Sequence, residues 1–166
     1  MAQSRRLEEQ RMKLGDVLRK ERERKKITAG DAAVKMRLPI EDYEKLEGGA
    51  SPIEEWGPRL AELAINLSTP TSRLISESGK SSHARQRDGQ CGQLIRAHRM
   101  RRELSQEELA ARLNWPVDQL NLVESGESPL EIYAPLLLRF AEVIDQPIFN
   151  LFYPCGLPVE KLNDYQ

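Results

Sequence analysis

Nothing in this chain supplies a covalent framework, a metal centre or a membrane span. Two cysteines in 166 residues are too few for a disulfide scaffold, and neither has a His or Cys at ligand spacing nearby. Cys91 opens an apolar stripe and reads as a small buried hydrophobe, while Cys155 sits in Tyr153-Pro154-Cys155-Gly156. The pair gives no reason to place the protein outside a reducing compartment. The two histidines, His83 and His98, stand without Cys, Asp or Glu at ligand or triad spacing. H-E-x-x-H, G-x-G-x-x-G and phosphate-cradling loops are missing, and Gly48-Gly49 is a helix stop. These gaps exclude the familiar catalytic classes, so neither an enzyme nor a cofactor is expected. No run approaches the ~20 apolar residues that cross a bilayer, and Met1 to Arg6 lack the apolar core of a signal peptide. A cytoplasmic protein with no membrane partner is expected. The net charge of −1 gives no global pull toward a polyanion, although a local basic face can still bind one. Sustained apolar–polar alternation with β-branched enrichment is also lacking, so no strands are expected.

What the chain does have is a repeat. Gly15, Pro39, Glu47-x-Gly49-x-Ser51-Pro52 and Pro58 return, 77 positions on, as Gly92, Pro116, Glu124-x-Gly126-x-Ser128-Pro129 and Pro135. The same interval pairs Arg19 with Arg96, Arg22 with Arg99, Leu60 with Leu137 and Pro70 with Pro147, and it needs no gap. A fixed period of this kind sets the architecture. Two related units are expected at 14–76 and 91–153, with a flexible Ser-, Gly- and charge-rich linker at 77–90. Residues 1–13 read as a backward extension of the first helix and 154–166 as a tail. Each unit, at about 60 residues, is near the lower limit for burying its own core, so the halves should lean on each other or on a second chain.

Apolar residues fall at helical spacing throughout: Leu14, Val17 and Leu18, then Ala32, Ala33 and Met36, then Tyr43 and Leu46, then Leu60, Leu63, Ala64 and Leu67. Ser105-Gln106-Glu107-Glu108 has the form of a capping box, with Thr28 and Asp31 a weaker version in the first copy. Pro39 and Pro116 break the pattern, and short helices should follow at Ile40–Glu47 and Val117–Glu124, stopped by Gly49 and Gly126. Pro58 and Pro135 are expected to open a fourth helix, Pro70 and Pro147 a short fifth. The fold class is all-α, five helices to a repeat.

The segment Arg96-x-x-Arg99-x-x-x-x-Leu104-Ser105-Gln106-Glu107-Glu108-Leu109-Ala110-x-x-Leu113, with the turn, short helix and Glu124-x-Gly126 after it, resembles the Cro and phage-repressor type helix-turn-helix domain, the XRE family. The likeness covers the second repeat directly and the first through the 77-residue register. It implies two tandem lambda-repressor-like domains whose third helices, Ile40–Glu47 and Val117–Glu124, would lie in a DNA major groove. It also implies structural ion pairs between Arg22 and Glu47 and between Arg99 and Glu124. The DNA-binding set implied is Gln106, Arg101, Arg102, Val117, Asp118, Gln119, Asn121, Leu122 and, from the first repeat, Lys45.

The charges depart from that pattern. Glu41, Asp42, Glu44 and Glu47 against Lys45 give the first short helix a net of −3, and Asp118 and Glu124 give the second −2. Such surfaces release few counterions. A helix macrodipole accommodates acids in the first turn, and aspartate can accept from cytosine, so the acids alone do not forbid reading. Ala29 stands where Gln106 does, which makes the first repeat the degenerate one and the second the better-equipped reader. Two readings follow. One is a DNA-binding transcriptional regulator, as a homodimer or an intramolecular pseudo-dimer. A linker at up to ~3.5 Å per residue can reach the ~34 Å between half-sites. The other is a protein-interaction module, such as the regulatory partner of a toxin or protease, using Tyr43, Trp56, Trp115, Leu122 and Tyr133.

Overall fold

The computed structural model describes residues 12–81 and 87–155, without the side chains of Phe149 and Tyr153. Every regular element among them is helical: α1 (Leu14–Arg24), α2 (Ala29–Lys35), α3 (Ile40–Glu47) and α4 (Ile53–Asn66), then α5 (Gln90–Arg101), α6 (Gln106–Leu113), α7 (Val117–Glu124) and α8 (Leu130–Val143). Single 3₁₀ turns at Thr71–Leu74 and Ile148–Leu151 follow α4 and α8, and another lies at Tyr153–Cys155. Left-handed residues recur at the same interval as the sequence repeat. Lys26 pairs with Glu103, Arg37 with Asn114, Gly49 with Gly126 and Ser68 with Asp145, all at positive φ. Such conformations are rare outside glycine, so their pairing shows that the backbone path, not only the residue pattern, is repeated.

Short helices need ends that satisfy their free amides. Ser105 Oγ accepts from the Glu108 amide at 3.0 Å while Glu108 accepts from the Ser105 amide, which closes a capping box and starts α6. Thr28 accepts from the Asp31 amide to start α2. α4 and α8 begin earlier than the prolines suggest. Ser51 and Ser128 each accept, at 3.2 Å, from the amide two residues on, so the helices start at Ile53 and Leu130 with Pro58 and Pro135 inside them. Proline so near a helix start removes one internal hydrogen bond, and the preceding serine offsets that loss by anchoring the first turn. The first helix starts at Leu14 with Lys13 as its N-cap. The rest of the expected extension, residues 1–11, lies outside the described residues, as does 156–166 of the expected tail.

The two halves share one core. Leu14, Val17, Leu18, Tyr43, Leu60 and Leu67 belong to the same buried cluster as Ile95, Leu120, Val123, Leu137, Phe140 and Phe152. Contacts between halves occur in reciprocal pairs, as a two-fold arrangement requires. α4 packs on α8, its own counterpart; α4 meets α6 as α8 meets α2; and each 3₁₀ turn packs on the first helix of the opposite half. Arg139 Nη1 donates to the Met36 carbonyl at 3.1 Å across this boundary. The described parts of the expected linker bond to one another and to the flanking elements. Arg87 Nη2 lies 3.2 Å from Glu77, Gln90 donates to the Ile75 carbonyl, and the Ser81 amide donates to Glu142. Residues 82–86 lie outside the described residues. No helix among the described residues is long and apolar enough to cross a membrane.

Candidate nucleic-acid interface

α7 is held at both ends and open along one side. Pro116, extended at φ −61° and ψ 142°, turns the chain out of α6, which ends on Asn114 in the left-handed region. Leu120 and Val123 bury, being three apart on one face, so Val117, Asp118, Asn121 and Leu122 face outward and Gln119 is half-buried. The exposed fractions, 37% for Val117 and 49% for Leu122, are high for aliphatic side chains.

The far end of α7 is fixed by Glu124, buried at 7% exposure. Arg99 reaches it from α5 through Nε at 2.7 Å and Nη2 at 2.9 Å, and Nη1 donates to the Leu104 carbonyl at 2.7 Å. Each of the three guanidinium nitrogens thus donates a hydrogen bond, and the pKa of Arg99 is raised chiefly by the bond to Glu124. The first half has the same fork: Arg22 Nε and Nη2 to Glu47 at 2.7 and 3.1 Å, and Nη1 to the Ile27 carbonyl at 2.9 Å. Bidentate geometry with both partners desolvated makes each pair a hinge-pin between helices rather than a free charge.

A fourth bond, present in the second half, distinguishes the two. Gln106 Nε2 donates to Glu124 Oε1 at 3.2 Å, and Ala29 occupies the matching position in the first half. Gln106 thereby lines, with Arg96, Glu107, Asn121 and Ser125, a solvent-open groove of about 510 Å³ over the Arg99–Glu124 pair. The structure thus brings Gln106 and Asn121 to one site beside the exposed face of α7. Arg101 lies elsewhere, in a second cleft with Arg73, Glu77, Arg87 and His98. Arg102 donates to the His98 carbonyl at 2.9 Å and to the Ser68 carbonyl at 3.4 Å. Lys45, on α3, lines a third groove between the halves.

Residues that sequence reasoning passed over position the site from behind. Glu131 Oε1 and Oε2 accept from the Cys91 and Gly92 amides at 3.1 and 2.9 Å, so a carboxylate of α8 caps the N-terminus of α5. Glu54 does the same for Leu14 and Gly15, at 2.7 Å each. A ligating carboxylate 40 residues away has no local pattern; the signal that could have found it is the identity of Glu54 and Glu131 at the repeat interval. Burial raises the Glu131 pKa even though the two amides oppose the rise. Among the described residues no three His, Cys, Asp or Glu side chains gather as a metal site, and burial pushes the Cys155 thiol up to about 11. The chain matches no family model, no curated protein and no solved structure among those with which it was compared.

Proposed function

We propose that the chain is a cytoplasmic DNA-binding transcriptional regulator of the XRE type, built from two lambda-repressor-like helix-turn-helix units, in which α6 and α7 of the second unit read one major-groove half-site. The observation that carries this reading is the convergence of Gln106 and Asn121 with Arg96 on one open groove. Side-chain amides match the donor and acceptor edges of adenine, and an arginine beside them suits a phosphate. In the first unit the corresponding residues are Ala29, Glu44 and Arg19, which keep the cation and lose both amides. The first unit then supports the second rather than reading beside it.

The test is fluorescence anisotropy on a duplex selected from a random library. Gln106→Ala and Asn121→Ala are each expected to weaken binding by about 1–3 kcal/mol, and Arg96→Ala to lower the salt slope by about one. A selection that enriches no sequence, or an affinity indifferent to both amide substitutions, rejects the reading. A protein-interaction module is favoured by one specific observation, the exposure of Val117 and Leu122 on a helix that also carries Asp118. Capture of a partner that persists at high salt and is lost in Leu122→Lys would support it, because apolar docking is insensitive to screening.

A further inference from the structure

The internal repeat supplies a comparison that a single domain would not. Between α3 and the N-terminal half of α8 runs a groove of about 620 Å³. Leu38, Leu46, Ile132, Tyr133 and Leu136 form its walls, with Asp42 and Lys45 at the rim. Ile132 is 62% exposed, uncommon for isoleucine. The volume and apolar lining are those of a small-molecule site.

Shifting these positions by the repeat interval gives their counterparts on α4 and α7 and in the α6–α7 turn, where two carry indoles and two carry charge. Trp115 stands for Leu38, Trp56 for Tyr133, Arg59 for Leu136 and Glu55 for Ile132. There the guanidinium of Arg59 lies over the Trp56 ring at 4.4 Å from its centroid and 2.8 Å from Glu55. Both indoles are packed against the core. One scaffold therefore carries two indoles at these positions on one side and Leu38 and Tyr133 on the other. The geometry points to the α3–α8 groove as a binding site for a small aromatic molecule of about indole size, seated against Leu38, where the matching position of the other half carries the indole of Trp115. This goes beyond the DNA-binding proposal and does not depend on it.

The test titrates the full chain with indole, followed by isothermal calorimetry and by the NMR resonances of the Leu38 methyls and Tyr133 ring. Saturable binding that shifts those resonances is expected. Leu38→Trp, which copies the counterpart, is expected to weaken it about tenfold or more, since the ligand's apolar burial is forfeited. Ile132→Glu, which copies Glu55 at the rim, serves should the first variant not fold, with a loss of similar size. Arg96→Ala, in the other groove, should leave indole binding unchanged. No saturable binding up to the solubility of indole, or binding undiminished in both groove variants, overturns the assignment. Dimerisation of the chain that Ile132→Glu abolishes overturns it too, by assigning the groove to a second copy.

Discussion

His98 shows how one side chain can report on its surroundings. It lies on α5 in the cleft with Arg73, Glu77, Arg87 and Arg101, and its pKa is held below the usual 6.5 first by burial, then by the cations of Arg101, Arg102 and Arg73. The folded protein resists protonating it, so the unfolded chain binds more protons as pH falls. The contribution to stability is therefore present above about 6.5 and is lost as the pH drops through the lower, folded value. The expected result is a thermal midpoint that falls more between about pH 7.5 and about pH 5.5 in the parent than in His98→Gln. Parallel curves in differential scanning calorimetry would show that the imidazole is indifferent to folding. Only the histidine was readable beforehand, because the cations that depress it come from the opposite half and from its own helix's end.

Elements here meet through glycine as much as through apolar stripes. α5 crosses the end of α7 at Gly92, where a Cβ would run into the Val123 carbonyl and lie 2.8 Å from that of Glu124. α1 crosses α3 likewise at Gly15, with the Leu46 carbonyl at 2.5 Å. Backbone cannot yield as a flexible side chain does, so Gly92→Ala is expected to cost about 1–3 kcal/mol or more. Gly30 gives the opposite sign. A Cβ there approaches only Thr28 Oγ1, at 4.0 Å, in the exposed first turn of α2. Gly30→Ala should stabilise by about 0.5 kcal/mol through reduced freedom of the unfolded chain. Urea midpoints of the two variants check both signs, and a neutral Gly92→Ala would mean that α5 and α7 are not in close contact. The bounds of α3 and α7 were legible in the sequence because proline and glycine bracket them. The starts of α4 and α8 were not, since a serine two residues upstream competes with proline for the role of initiator. Gly15 and Gly92 stood out as repeated, but their reason is a crossing between elements about 30 residues apart in sequence, and periodicity within a helix does not carry that.

At the scale of the molecule, duplication has produced a closed pair rather than two beads. The sequence marks two units of a size that barely supports a core; how they combine depends on which faces meet, and local patterning does not encode that. The reciprocal packing of each 3₁₀ turn on the opposite first helix means that neither half completes its core alone. Leu137 lies on the shared boundary, where a Cβ on Gly57 of α4 would come within 3.6 Å of its Cδ1 and of the Phe152 ring. Leu137→Ala should therefore destabilise by about 2–5 kcal/mol, and the loss should be felt equally in both halves. Trp56 and Trp115 allow this to be read separately: in Trp115→Phe the fluorescence follows α4 of the first half, and in Trp56→Phe the α6–α7 turn of the second. Both single-tryptophan proteins are expected to unfold in one transition at the same urea concentration, and Leu137→Ala to move both midpoints together. Two separated transitions, or a shift confined to Trp115, would establish two independent domains and remove the shared core from the account. Coincident transitions would mean that α7 cannot be stabilised or loosened without the first half responding.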